Sequence, residues 1–296
     1  MAGRLDDLVG MAKSPKDFQY HFQRLIQGVA TRRRIAQMVA ARLPKPAAGP
    51  DDARASEAVA TLRDDGISFL PPLLDASQLE DIRQYALRHK CHDRTRPENG
   101  EFDIEQPHPL CHTAVYTDAA TLACPHVLDT VNHPLVLQAV GELFGCKPTI
   151  SNISMWWSLP GHAKAEHAEL FHRDVDDWLF IKLFIYITDV DAGSGPHVFV
   201  RGSQNSPKLA KIARYTDEQV AQEFGKDNVL SLTAQAGTSF LENTYGMHKG
   251  QLPLASRRLL LQAQYSLRPI SIQQYTPRKA GAKTTLDPYV NRLYVA

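Results

Sequence analysis

His172 and Asp174 are the residues whose types and spacing point most directly to chemistry. They stand one residue apart in LFHRDVDDW, so on a strand both side chains project from the same face and can hold one ion. His248, in NTYGMHKGQ, lies at the edge of a later predicted strand that an antiparallel sandwich can place opposite His172. Two imidazoles and one carboxylate on one face leave coordination sites open. This pattern suits iron(II) that must bind both a co-substrate and oxygen.

A second feature is the basic pair that opens the predicted strand RRLLLQAQY. The two-residue period of a strand places Arg258 on one face with Gln262, whereas Arg257 has the opposite parity. A guanidinium on the face that lines the site is a bidentate clamp for a carboxylate. The alternation therefore favours Arg258 as the clamp, with Arg257 as the alternative.

The four cysteines are few for a disulfide-stapled domain, and they predict reduced thiols. Three of them, Cys91, Cys111 and Cys124, stand next to or near histidines, so a zinc site is one interpretation. The gaps lack the close CxxC or HxxxH pairing of structural zinc, which favours buried thiols and ordinary histidines instead.

Length and charge exclude several classes of protein. The chain has 296 residues, 43% of them hydrophobic, which is enough to bury a large core. A formal charge of +1 argues against nucleic acid as the main partner. The sequence shows no apolar run of membrane-spanning length and no signal-peptide pattern, so we expect a soluble, cytoplasmic protein. Nothing in the sequence sets an oligomeric state.

Residues 1–56 read as an extension that precedes the main domain at 57–296. Residues 17–43 show the apolar spacing of an amphipathic helix or helix pair, interrupted by the basic run at 32–34. We expect it to pack on the main domain with its arginines in water; docking on a membrane surface is the alternative. Residues 44–56, rich in Pro, Gly and Ala, read as a linker.

The main domain changes character along its length. Helices are predicted at 75–90 and 134–144, while residues 91–135 look irregular. Between 148 and 270, short β-rich runs separated by turn residues predict an antiparallel sandwich or barrel. A helix interrupts them after Thr216, which forms a capping-box pattern with Gln219.

Residues 60–270 resemble the phytanoyl-CoA dioxygenase family of iron(II)- and 2-oxoglutarate-dependent oxygenases. The resemblance is carried by the segments LRDDGISFLPPLLDASQLEDIR, FHRD, TDVDAGSGPHVFVRGSQ, AGTSFLENTYGMHKG and RRLLLQAQY. It implies a mainly β fold with flanking helices: a double-stranded β-helix, or jelly roll, with an N-terminal helical layer. By position it makes His172, Asp174 and His248 the iron ligands, and Arg258 the residue that holds the C5 carboxylate of 2-oxoglutarate.

The sequence departs from the family pattern at three points. Gln204 replaces the His of a PGSH-like segment, and Thr238 stands where an Asp is frequent. The interval from His248 to Arg258 is one residue shorter than expected, which keeps Arg257 in consideration. Because Asp174 is present rather than Gly or Ala, no coordination site is vacated for a halide, and the resemblance points to hydroxylation rather than halogenation.

The resemblance also implies a reaction. Molecular oxygen and 2-oxoglutarate are consumed, succinate and carbon dioxide are formed, and an unactivated C–H bond of a small molecule is hydroxylated. Desaturation, epimerisation and cyclisation share the triad and remain alternatives. From other classes, we weigh a catalytically silent jelly roll that binds a metabolite and a cupin-like isomerase or hydrolase with another metal.

For the substrate pocket the sequence offers strand parity. Lys182 and Tyr186 share a face of FIKLFIYITD and are candidate lining residues, as are Trp156 and Trp178, each with a structural role as the alternative. His162 and His167 read as loop histidines. His197 reads either as a group that supports the site or as an ordinary surface histidine.

Overall fold

The computed structural model describes residues 7, 9–11, 15–46, 52–278 and 286–296. In chain order its strands are β1 (Ile67–Leu70), β2 (Cys91–Asp93), β3 (Glu101–Phe102), β4 (Thr113–Val115), β5 (Thr149–Ser158), β6 (Phe180–Tyr186), β7 (His197–Val200), β8 (Val229–Leu232), β9 (Ser239–Glu242), β10 (His248–Gly250) and β11 (Arg258–Ser266). Its helices are α1 (Pro15–Leu25), α2 (Val29–Ala40), α3 (Ala53–Asp64), α4 (Ala76–Arg88), α5 (Asp118–Ala123), α6 (Val127–Val131), α7 (Pro134–Phe144), α8 (Asp217–Phe224) and α9 (Pro288–Asn291).

Two antiparallel sheets form the core. The larger has eight strands in the order β1-β9-β6-β11-β5-β4-β2-β3, and the smaller has three in the order β10-β7-β8. They face each other across an aromatic cluster in which Phe199 of β7 and Leu232 of β8 pack with Phe184, Tyr186 and Phe240 of the larger sheet. The prediction of short antiparallel strands between 148 and 270 is confirmed.

The two faces of the larger sheet have different neighbours because side chains alternate along each strand. On β6, Ile181, Leu183 and Ile185 join the main core cluster, which also contains buried residues of α3 and α7. The intervening Lys182 is opposite Glu242 of β9 in the sheet register. The helices thus cover one face, and the other face is turned to the smaller sheet.

Helix boundaries follow local capping. Asp75 caps α4 and Thr216 caps α8, and the backbone N–H of each cap residue donates in return to Oε1 of the Gln three residues later. Helix α3 begins at Ala53, after the Asp52 cap, because the Asp52 carboxylate accepts the backbone N–H of Arg54. The predicted linker, residues 44–56, therefore ends too late, because the helix already begins at Ala53. Its residues 47–51 lie outside the described residues.

The segment 91–135 is more ordered than the sequence indicates. It contains β2, β3 and β4, which extend the larger sheet beyond β5, and the short helices α5 and α6. These strands have only two or three residues each, so the alternation that reveals longer strands is not visible in them.

The N-terminal segment forms a pair of helices, α1 and α2, against the main domain. The ring of Phe22 meets Trp178 edge to face at 6.3 Å, and Gln23 donates to the carbonyl of Asp176. The expectation that the arginines lie in water is wrong for Arg32, which is buried and donates to the carbonyl of Asp177. Among the described residues, no helix combines the length and apolarity needed to cross a membrane.

Candidate metal centre

His172 faces His248 of β10 across an isolated antiparallel bridge at the edge of the smaller sheet. The backbone N–H of each donates to the carbonyl of the other, at 2.9 and 3.0 Å, and their ring centres are 4.3 Å apart. Asp174 is held beside them because its N–H donates to the carbonyl of Thr244 at 2.9 Å. Its carboxylate lies 3.5 Å from Nε2 of His172 and 3.4 Å from Nε2 of His248. The structure therefore brings the three predicted residues together.

Hydrogen bonds to backbone carbonyls orient both imidazoles. Nδ1 of His172 lies 2.8 Å from the carbonyl oxygen of Leu170, and Nδ1 of His248 lies 3.0 Å from that of Gly246. A carbonyl only accepts, so each Nδ1 carries the proton and each Nε2 presents a lone pair. Both lone pairs point to the side where Asp174 lies, which is the arrangement that a metal ligand needs.

The charge states also suit a metal. Burial lowers the pKa of His248, and the neighbouring His172 lowers it further, so the imidazole is neutral near pH 7. Burial alone raises the pKa of Asp174, but the charge of Lys182 and the two histidines hold it well below its usual range. Of the described residues, these three are the group of His, Cys, Asp and Glu side chains that could share one metal ion. The described residues contain no Cys–His cluster of this kind that could hold zinc, and the four cysteines are buried and free.

Lys182 lies on the inner face of β6, as its parity predicts. Its Nζ is 2.6 Å from Oδ2 of Asp174 and 3.7 Å from Oδ2 of Asp176. Burial lowers the pKa of this amine, and the two carboxylates more than compensate, so the net shift is upward. Lys182 thus remains charged and fixes the position of the Asp174 carboxylate.

Arg258 is buried where β11 begins and keeps spare donors. One Nη donates to Oγ of Ser158 at 3.2 Å, while Nε and the other Nη form no hydrogen bond with the described residues. Its guanidinium carbon is 5.8 Å from the ring centre of Tyr186. Arg257 points to the other side of the strand, where it pairs with Glu105 at 2.5 Å. The predicted alternation is confirmed. Of the two arginines, Arg258 keeps guanidinium donors without a hydrogen-bond partner among the described residues, and Arg257 forms an ion pair.

His197 and Glu242 form a buried pair that the sequence reading missed. Nε2 of His197 lies 2.8 Å from Oε2 of Glu242, and neither atom forms a well-directed hydrogen bond with any of the described residues. Burial raises the pKa of Glu242 to about 8 and lowers that of His197 to about 3. The surface-histidine interpretation is therefore wrong. The one available signal was an acidic residue inside the apolar run TSFLEN.

The remaining candidates divide between the site and its surroundings. Trp156 is half-buried. On three neighbouring strands, Trp156, Leu260 and Tyr186 lie side by side and form one row across the sheet. The phenol of Tyr186 donates to the carbonyl of Leu232 and accepts the N–H of His197, which fixes this residue between the sheets. Trp178 packs instead against α1 and α2, an arrangement that favours its structural interpretation.

The two other histidines lie in loops, as predicted. The ring of His162 stacks on His112 at 3.7 Å, with Nε2 2.9 Å from the carbonyl oxygen of Cys111. His167 begins a single 3-10 turn, His167–Glu169, with a left-handed φ of 47°.

No protein-family model and no curated protein sequence matches the chain. Solved structures do. The chain is similar to the non-heme alpha-ketoglutarate-dependent carbocyclase SnoK from nogalamycin biosynthesis, with 18% identity and a TM-score of 0.52 over 74% of this chain and 87% of SnoK. It is also similar to HygX from Streptomyces hygroscopicus with nickel, 2-oxoglutarate and hygromycin B bound, with 16% identity and a TM-score of 0.52 over 77% of this chain and 92% of HygX.

A third similar structure is the epimerase SnoN in complex with Fe3+, alpha-ketoglutarate and nogalamycin RO. Here the identity is 18% and the TM-score is 0.51, over 73% of this chain and 84% of SnoN. At such identities the likeness establishes a shared fold, and function must be argued from the site.

Proposed function

We propose that this protein is an iron(II)- and 2-oxoglutarate-dependent oxygenase that hydroxylates an unactivated C–H bond of a small molecule, with succinate and carbon dioxide formed from the co-substrate. The observation that carries the proposal is the combination of three metal-ready side chains with a buried arginine. His172, Asp174 and His248 supply two imidazole lone pairs and one carboxylate, and Arg258 supplies unsatisfied donors between the same two sheets.

The fold supports this assignment. Enzymes with which the chain shares its fold are described with a metal and 2-oxoglutarate bound. We infer that the larger sheet and the smaller sheet are the two halves of a double-stranded β-helix, with α1 to α4 and α7 as its helical layer. The described fold relatives include an epimerase and a carbocyclase, so these reactions remain alternatives on the same triad.

In this proposal each residue has a distinct task. Iron(II), once bound with 2-oxoglutarate and oxygen, supplies the oxidising chemistry that side chains lack. The carbonyls of Leu170 and Gly246 hold the two imidazoles with Nε2 toward the metal position. Lys182 fixes the Asp174 carboxylate, and Arg258 binds the distal carboxylate of 2-oxoglutarate as a charge-assisted clamp.

Aromatic rings pack between the sheets beside Arg258. Phe184, Tyr186 and Phe240 close the space between the sheets with aromatic rings whose centres are 5.3 to 5.8 Å apart. Exclusion of water strengthens the attraction between Arg258 and a carboxylate, because the local dielectric is low.

The test is an anaerobic titration of the metal-free protein with iron(II) and then 2-oxoglutarate, in which the visible metal-to-ligand charge-transfer band is recorded. The band should appear in the parent protein and be lost in His172→Ala. In Arg258→Gln, half-saturation should need about tenfold more 2-oxoglutarate or higher, because a bidentate charged contact is removed.

Arg257→Gln is the matched control, since it removes the neighbouring guanidinium on the opposite face. It should leave the band and its 2-oxoglutarate dependence unchanged. A folded, iron-loaded parent that shows no band would contradict the proposal and favour the silent or other-metal alternatives.

A further inference from the structure

We propose that the substrate carries an oxyanion, a phosphate or carboxylate group, and that Arg94 and Arg214 bind it at the mouth of the metal centre. The inference rests on the proposed function, because it names the substrate class of the same site. It is carried by two guanidinium groups that have no anionic partner among the described residues. Arg94 lies against Trp156, and Arg214 belongs to the segment that bridges to Phe171, the neighbour of the ligand His172.

Arg94 reaches the site from the edge of the larger sheet. It directly follows β2, and its N–H donates to the carbonyl of Thr113 on β4 at 3.0 Å. The guanidinium carbon lies 4.8 Å from the ring centre of Trp156. Trp156 belongs to the row that contains Leu260 and Tyr186, so Arg94 is held over the inner face of the sheet.

The guanidinium of Arg94 is available for a ligand. It has no hydrogen bond or ion pair in the part of the chain that the structure describes. The side chain remains accessible to solvent, yet burial lowers its pKa, with Asp174 as the carboxylate that opposes this shift. An exposed guanidinium without a partner can bind an incoming anion without first breaking a contact in the protein.

Arg214 lies in the segment that pairs with the neighbour of the ligand His172. Its Nε donates to the carbonyl of His167 at 2.7 Å, and the backbone of the next residue, Tyr215, bridges to Phe171, the neighbour of the ligand His172. The two terminal nitrogens of Arg214 have no partner among the described residues. The pKa of Arg214 is lowered, chiefly by burial. The charge of Asp174 opposes this shift, and the charge of Arg24 adds to it.

The other cations around the site are satisfied by carboxylates or, for Arg173, by backbone carbonyls of Leu209, Tyr245, Ser206 and Lys208. The carboxylate pairs are Lys182 with Asp174 at 2.6 Å, Arg24 with Asp7 at 2.9 Å and Arg96 with Glu166 at 3.1 Å. Arg94 and Arg214, like Arg258, therefore keep guanidinium donors that have no partner among the described residues. Planar guanidinium groups match the oxygens of carboxylates and phosphates, and the contact with Trp156 positions one of them.

The test uses three probes that share an aromatic ring: phenyl phosphate, benzoate and neutral benzyl alcohol. Each is titrated into the metal-free protein by calorimetry, so that iron does not contribute to binding. We expect saturable binding of at least one anion and none of benzyl alcohol. Comparison of the two anions identifies the oxyanion type.

Arg94→Gln and Arg214→Gln should each weaken anion binding by about tenfold, the effect of losing one charge-assisted contact. Arg94→Lys keeps the positive charge but lacks the forked guanidinium, so its affinity for the anion should lie between those of the parent and Arg94→Gln. Arg88→Gln, on the exposed surface of α4, is the matched control and should bind like the parent. Thermal melting and circular dichroism establish that each variant is folded.

Three results would overturn the inference. These are an absence of saturable binding, an equal loss in Arg88→Gln, or an anion that 2-oxoglutarate displaces and that Arg258→Gln abolishes, which would place it in the co-substrate position. The charge-transfer band separates this inference from the proposed function. A parent with the band and no anion binding retains the function and loses the inference; a parent with anion binding and no band contradicts the function.

Discussion

Nζ of Lys182 lies 2.6 Å from Oδ2 of Asp174, the same oxygen that is 3.4 Å from Nε2 of His248. A strand of the larger sheet thus holds the carboxylate toward the two imidazoles that come together between the sheets. The ion pair keeps Asp174 ionised in a place where burial alone would protonate it. The carboxylate of the donor set is therefore ionised before any metal binds.

Lys182→Met should lower the free energy of unfolding of the metal-free protein by about 3 kcal/mol, because it leaves the carboxylates of Asp174 and Asp176 without their shared cation. Urea unfolding measures the change. Lys147→Met is the matched control, since its pair with Asp287 is partly exposed and should contribute less than about 1 kcal/mol. Equal losses in the two variants would contradict a special role for Lys182.

The pair of His197 and Glu242 predicts how the stability of the metal-free protein depends on pH. Glu242 has a pKa of about 8 in the folded state against an ordinary value of 4.5, so the folded state binds more protons between these values and stability falls as pH rises. His197 has a pKa of about 3 against an ordinary 6.5, so its contribution rises with pH up to about 6.5. The two contributions offset each other between about pH 4.5 and pH 6.5. Above that range, the decline due to Glu242 remains.

Glu242→Gln should remove this decline between about pH 6.5 and pH 8, measured as the difference in urea unfolding free energy between variant and parent. Glu80→Gln, on the exposed surface of α4, should leave it in place. A decline that is equally steep in Glu242→Gln would show that other groups cause it.

Strand parity explains how much of the site was predictable. Alternation along FIKLFIYITD and RRLLLQAQY places Lys182, Tyr186 and Arg258 on the face that is turned to the smaller sheet, as the structure has them. A period of two is a local property, so one segment suffices to reveal it.

Contacts between distant segments were not predictable from one sequence. His197 and Glu242 lie on β7 and β9, which belong to different sheets. No pattern within either segment indicates that it contacts the other. Arg32 looks like a solvated residue of a basic run, and its burial depends on Asp177, which is far along the chain. Tertiary partners, rather than local propensity, decide such positions.

The cysteines give a prediction that tests the core directly. Burial raises the pKa of Cys91, Cys111 and Cys124 to about 12 and that of Cys146 to about 11. Since the thiolate is the reactive form, none of the four should react with Ellman's reagent in the native state at about pH 8. In denaturant all four should react. Rapid reaction of any thiol in the folded protein would contradict its burial.

Arg32→Gln tests whether the N-terminal helices support the metal centre. The guanidinium donates to the carbonyls of Gln23 and Asp177 at 2.8 and 2.5 Å and lies between the rings of Trp178 and Tyr245. Because Asp177 belongs to the loop that follows Asp174, loss of this contact should loosen both α1 and the ligand loop. We expect the free energy of unfolding to fall by about 3 kcal/mol.

The neighbouring Arg33 is the matched control for this experiment. It is exposed and donates to Oδ1 of Asn205 alone, so Arg33→Gln should change stability by less than about 0.5 kcal/mol. A cobalt(II) titration supplies the second measurement: Arg32→Gln should weaken metal binding several-fold and Arg33→Gln should not. If Arg32→Gln lowers stability while cobalt affinity is unchanged, then α1 and α2 anchor the fold without positioning Asp174.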